Sequence, residues 1–137
     1  EVQQVVEHEF EEELRANGHA HLPPGILIYT IEGPLFFAAA ETFERVLAQT
    51  HTDPRLLIIR LKRVPFMDIT GLQVLEEVIQ QLHKRNIVVK LCEANTKVLG
   101  KLDRVGILQE IGPEHYHADF NTALAKAVSH VEGTSTL

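Results

Sequence analysis

Apolar positions along this chain follow two rhythms that alternate. Residues 26–33, ILIYTIEG, are rich in β-formers and end in glycine, which predicts a strand. Residues 38–49, AAAETFERVLAQ, set Phe43, Val46 and Leu47 on one face at helical spacing. Residues 55–62, RLLIIRLK, form an almost unbroken apolar run flanked by charge, the pattern of a strand covered on both faces. Residues 70–85 repeat Leu72, Leu75, Ile79 and Leu82 at helical intervals. Residues 86–94, NIVVKLCEA, predict a further strand, and residues 95–106 a short helix with Gly106 just past its end. The stretch that follows is irregular, with an edge strand expected near Tyr116. Residues 119–131 predict the last helix, beyond which EGTSTL frays.

Strands that alternate with helices at this spacing imply βαβ units. The expected fold is therefore α/β: a mostly parallel sheet of about four to five strands with helices packed on it. Residues 1–22 differ from the rest. Val2, Val6, Phe10 and Leu14 recur every fourth residue among Glu7, Glu9, Glu11, Glu12 and Glu13. They predict an acidic helical lead-in or linker that Asn17-Gly18 ends. Two uses stand open for it, a solvated linker and a helix docked on another part of a longer chain. The compact domain is expected over residues 23–131, with 132–137 a disordered tail.

Composition narrows the function classes. At 137 residues and 45% hydrophobic content, one domain with a sizeable core is expected. No run approaches the roughly 18 apolar residues of a membrane span, and no signal peptide is visible. The chain starts at Glu1, which suggests a piece of a longer protein. A formal charge of −6 argues against nucleic acid as partner. The single cysteine, Cys92, fits a reducing compartment and, at the end of an apolar strand, a small buried side chain.

Residues 62–75, KRVPFMDITGLQVL, carry the candidate site. Thr70 as N-cap, Gln73 at N3 and the pair Ile69 and Val74 would make a complete helix-start signature. Asp68 just outside would favour the positive helix end. Gly71 is unfavourable inside a helix and points to a close approach by another group. Two readings of Thr70 stand: a structural cap, and an exposed hydroxyl where an added phosphate would meet free backbone N–H groups. Residues 32–41, EGPLFFAAAE, offer a second feature: core packing, or an apolar lip for a partner or ligand made by Pro34, Leu35, Phe36, Phe37 and Ala38. His19-x-His21 and His115-x-His117 lack the further ligands a metal site needs and are read as surface histidines. No catalytic constellation, metal site or cofactor motif is apparent. Lys62 and Arg63 are read as a solvated loop or a small positive rim.

The order of elements, with Asp68-Ile69-Thr70-Gly71 opening a helix, resembles a STAS domain over residues 23–131. In the anti-sigma-factor antagonists of that family, the second hydroxyl of an Asp-Ser-Ser-Gly stretch is phosphorylated. Thr70 stands at the matching position, with Ile69 in place of the first serine. EGPLFFAAAE is similar to the segment after the first strand in the STAS domains of SulP anion transporters, and the acidic lead-in fits a chain leaving a membrane domain. The resemblance implies a non-enzymatic, cytoplasmic regulatory domain of a sulfate, bicarbonate or dicarboxylate transporter at the inner face of the cell membrane. It would need no cofactor and would not itself insert in the membrane. Its implied partners are the transporter's own transmembrane domain, a second copy, or a soluble regulatory protein. Its implied contact surface is Phe66, Met67, Asp68, Ile69, Thr70, Gly71 and Leu72, with Thr70 as switch position. The alternative is a free antagonist switched by phosphorylation of Thr70. A doubly wound enzyme or ligand binder that uses the same helix start for an anion is a third reading.

Overall fold

The computed structural model describes residues 23–32 and 54–135. These hold four strands, β1 (Ile26–Glu32), β2 (Leu56–Arg63), β3 (Val88–Cys92) and β4 (Tyr116–His117). They also hold four α-helices, α1 (Ile69–Lys84), α2 (Thr96–Arg104), α3 (Ile107–Ile111) and α4 (Phe120–Ser135). A single 3-10 turn, Pro113–His115, leads into β4. The expected lead-in 1–22, the helix 38–49, His19, His21 and the lip from Pro34 to Ala38 lie outside the described residues.

The sheet runs in the order β1-β2-β3-β4, and every neighbouring pair is parallel. Ile58 stands beside Ile28 on one side and Lys90 on the other. Alternation along β2 then sorts the core into two layers. Leu57, Ile59 and Leu61 face a large cluster with Leu72, Leu75, Ile79 and Leu82 of α1, Val98 and Leu102 of α2, and Ile107 and Ile111 of α3. Leu56 and Ile58 face a smaller one built on Phe120, Ala123, Leu124, Ala127, Val128 and Val131 of α4. The double burial expected of residues 55–62 is thus present, with Leu56 to Leu61 all buried.

Helix ends follow local chemistry. Asn95 caps α2 by accepting from the Val98 N–H at 2.8 Å. Gly106 takes a left-handed φ of 86° after α2 and serves as the expected residue past its end. The last helix continues to Ser135 and so overruns its expected end at residue 131. Val131 is its last buried side chain, and the exposed Glu132 and Gly133 simply extend the hydrogen-bonded backbone.

One ion pair lies under α4. Arg60 of β2, 3% exposed, donates from Nη2 to Oε2 of Glu93 at 2.8 Å and from Nε to the other oxygen. Its guanidinium also sits 4.1 Å from the centre of the Phe120 ring. Glu93 reaches this position with a φ of 70°, a backbone region uncommon for a side chain of its kind. Removing one partner of such a buried pair leaves the other charge poorly compensated. Glu93→Ala is expected to lower stability by about 3 kcal/mol in urea unfolding of the 137-residue chain.

Candidate functional site

The β2–α1 junction is built differently from the sequence expectation. α1 starts at Ile69, and Asp68 is its N-cap, accepting from the Gly71 N–H at 2.8 Å. Thr70 is therefore not the cap; it lies at the second helical position with its side chain exposed. The Thr70–Gln73 capping box and the Ile69–Val74 staple do not form in that register. Their place is taken by Met67 before the cap and Leu72 at the fourth helical position, both buried in the larger cluster. Gly71 is buried at the third position, the one whose N–H the cap holds.

The seven expected surface residues thus divide. Met67, Gly71 and Leu72 face inward, whereas Phe66, Asp68, Ile69 and Thr70 are exposed. Phe66 is 52% and Ile69 66% exposed, an unusual cost for large apolar side chains on either side of a helix cap. Beside them lies a groove of about 270 Å³ lined by Met67, Ile69, Leu72, Lys101, Arg104 and Val105. Val105 is itself 43% exposed. The groove is smaller than the roughly 300–1,000 Å³ of small-molecule pockets. Its lining is mostly apolar, with Lys101 and Arg104 as its two basic side chains.

Two residues that sequence reasoning missed fix the loop before the cap. Lys101 donates to the Met67 carbonyl at 2.7 Å, and the Asn95 amide donates to the Pro65 carbonyl at 3.0 Å. Asn95 carried a signal, an Asx residue ahead of a helical pattern. Lys101 carried none, since on a short amphipathic helix it reads as a solvated face. Lys62 and Arg63 are exposed and are the last two residues of β2, so the loop expected there begins after them.

The second histidine pair is a correction. His117 is buried and His115 half-buried, because β4 pairs with β3 and brings them to Lys90. Lys90 Nζ lies 3.0 Å from His115 Nδ1 and 2.9 Å from His117 Nε2. Burial holds His117 near a pKa of about 4, with the Lys90 charge adding to the effect. Burial and then Lys90 lower His115, and burial lowers Lys90 itself. Cys92 is fully buried, and burial raises its thiol pKa, as expected of a small core side chain. Among the described residues, no group of three or more metal-ligating side chains comes together.

The sequence profile of the STAS domain matches residues 19–125. The fold superposes on the STAS domain of a SulP transporter from Vibrio cholerae with a TM-score of 0.84 and 47% identity, over 92% of this chain and 98% of that one. A sulfate transporter family protein from Wolinella succinogenes superposes with a TM-score of 0.73 and 34% identity, over 81% and 91% of the two chains. Solute carrier family 26 member 10 of Mus musculus is 25% identical over 121 residues, covering 81% of this chain and 18% of that protein. The chain spans under a fifth of the length of the curated relatives it matches, 18% and 19% in two bacterial cases.

The cap assignment is open to direct test. Asp68→Ala is expected to destabilise the chain by about 1 kcal/mol and to speed amide exchange in the first turn of α1, whereas Thr70→Ala changes both little. A larger loss for Thr70→Ala than for Asp68→Ala would return the cap to Thr70.

Proposed function

We infer the role of this chain from its family: it belongs to the STAS domains, whose pattern covers residues 19–125. It is related to the STAS domains of SulP and solute carrier 26 transporters. We propose that it is the cytoplasmic regulatory domain of a SulP-family anion transporter of the sulfate permease type. In this reading it catalyses nothing and biases the transporter's states through protein contact. The observation that carries the reading is its likeness, over nearly its whole length, to a STAS domain taken from such a transporter.

The exposed half of the β2–α1 junction supports a contact role. Phe66, Ile69 and Val105 present apolar surface beside a groove with Lys101 and Arg104 at its margin. In this proposal the transmembrane domain of the same polypeptide, or a second copy of the chain, covers that surface. Thr70, exposed beside Ile69 at the start of α1, is the position where an added negative charge would alter the contact.

Because Ile69 and Thr70 are exposed, they can be changed without disturbing the core. Gly71 is buried, so a large side chain there would test the fold instead. Ile69→Asp and Thr70→Glu in the complete transporter are each expected to lower sulfate uptake about fivefold, the scale of a modest coupling between sites. The circular dichroism of the 137-residue chain should stay unchanged, since acidic groups suit a helix N-terminus. Unaltered uptake in both variants would remove the surface from the proposal.

A further inference from the structure

The proposed role makes no use of Lys90, yet this residue is held by more specific contacts than most of the chain. A lysine 3% exposed inside a sheet is rare, and such a charge normally meets a carboxylate. Here it meets two imidazole nitrogens, Nδ1 of His115 and Nε2 of His117, at 3.0 and 2.9 Å. As an ammonium, Lys90 has three donors and no acceptor, and in that state each of those nitrogens carries a lone pair. Both histidines are then neutral, with the proton on Nε2 of His115 and on Nδ1 of His117. Protonating either one turns its acceptor into a donor aimed at a cation about 3 Å away.

The segment these contacts hold is also tied at both ends: the Gly112 carbonyl accepts from the His115 N–H at 2.8 Å, Asp119 accepts from the Thr122 N–H at 2.7 Å and hydroxyl at 3.0 Å, and the His115 ring meets that of His130 edge-on at 6.2 Å. β4 is two residues long and pairs with β3 only through Leu91–Tyr116 and Cys92–His117. The His117 carbonyl accepts from the Glu93 N–H at 3.2 Å, and the Tyr116 hydroxyl accepts from the Ala94 N–H at 3.1 Å. We propose that Lys90, His115 and His117 form an acid-sensitive latch: at neutral pH it holds residues 113–119 on the edge of β3, and on mild acidification it lets them go.

The surrounding charges do not cancel the effect. Glu114, 3.7 Å from His115 Nε2, favours protonation of His115, and Asp119 favours that of His117. Lys126 and His130 of α4 and His83 of α1 oppose it. Glu93 is taken up by Arg60, and Cys92 remains a neutral thiol. The net balance lowers both histidines below their ordinary value of 6.5. For such a group the closed state is fully favoured above pH 6.5, and the advantage is lost as pH falls toward the folded value. With His117 near 4, the open-to-closed ratio rises about thirtyfold between pH 7.5 and pH 5.

The test is proton-detected nitrogen NMR of the 137-residue chain labelled at histidine, together with amide exchange at pH 7.5 and pH 5. The expected spectrum has His117 as its Nδ1–H tautomer at neutral pH. The expected exchange shows protection in residues 113–119 falling about thirtyfold at pH 5, with β1 and β2 still protected. The double variant His115→Asn, His117→Gln keeps acceptors at matching positions without a titrating ring, and its 113–119 protection should stay constant. Three results would each overturn the latch. They are an Nε2–H tautomer at His117, unchanged protection at pH 5, and loss of protection in β1 and β2 together with residues 113–119.

Discussion

Leu56, Leu57, Ile58, Ile59 and Leu61 bury both faces of β2, so the sheet needs a roof on each side. α1, α2 and α3 supply one roof and α4 the other. At roughly 1.5–3 kcal/mol for each fully buried aliphatic side chain, this one strand outweighs any single polar contact in the molecule. The remaining geometry follows from it. A parallel neighbour on each side requires crossovers, and the β2-to-β3 crossover must start beside the carboxyl end of β2. That requirement places the loop at residues 64–68 and the start of α1 at the same edge as Glu93 and Asn95.

The same alternation explains the two buried cations. Arg60 and Lys90 occupy positions in β2 and β3 that point toward α4, where their strand neighbours Ile58 and Cys92 are apolar. α4 covers that face with Phe120, Leu124, Val128 and Val131, and with two small side chains, Ala123 and Ala127. Each cation is then answered locally, Arg60 by Glu93 and the Phe120 ring, Lys90 by two imidazoles. Neither arrangement adds much net stability over an apolar pair of the same size.

Strands and helices were legible because burial imposes a period, and β2, α1 and α4 bury regular positions. The α/β class and the parallel pairing follow from that signal. The cap of α1 was not legible, since Asp68-Ile69-Thr70-Gly71 offers two capping side chains two residues apart. Local chemistry alone favours Thr70, with Gln73 completing a box. Packing decides otherwise: capping at Asp68 puts Met67 and Leu72 in the core, whereas capping at Thr70 would rely on Ile69, which is 66% exposed. The histidines were misread for a different reason. His115 and His117 look solvated until β4 is paired with β3, and that pairing joins Lys90 to a residue 27 positions away. No periodicity carries a contact of that kind.

In open α/β sheets the carboxyl ends of the strands are where ligands bind, because helix starts and loops converge there. Among the described residues, several contacts cross that edge. Asn95 and Lys101 tie the loop before Asp68 to α2, Arg60 and Glu93 join the ends of β2 and β3, and Lys90 bridges to β4. Among the described residues a groove of about 270 Å³ is lined by Ile69 and Val105, below the usual range of small-molecule pockets. The stiffened edge carries a few outward apolar side chains, Phe66, Ile69 and Val105. A rigid partner surface loses little entropy on docking, so even a small apolar patch can contribute net affinity. The ties from Asn95 and Lys101 to the loop before Asp68 therefore also set where Phe66 and Ile69 stand on the surface.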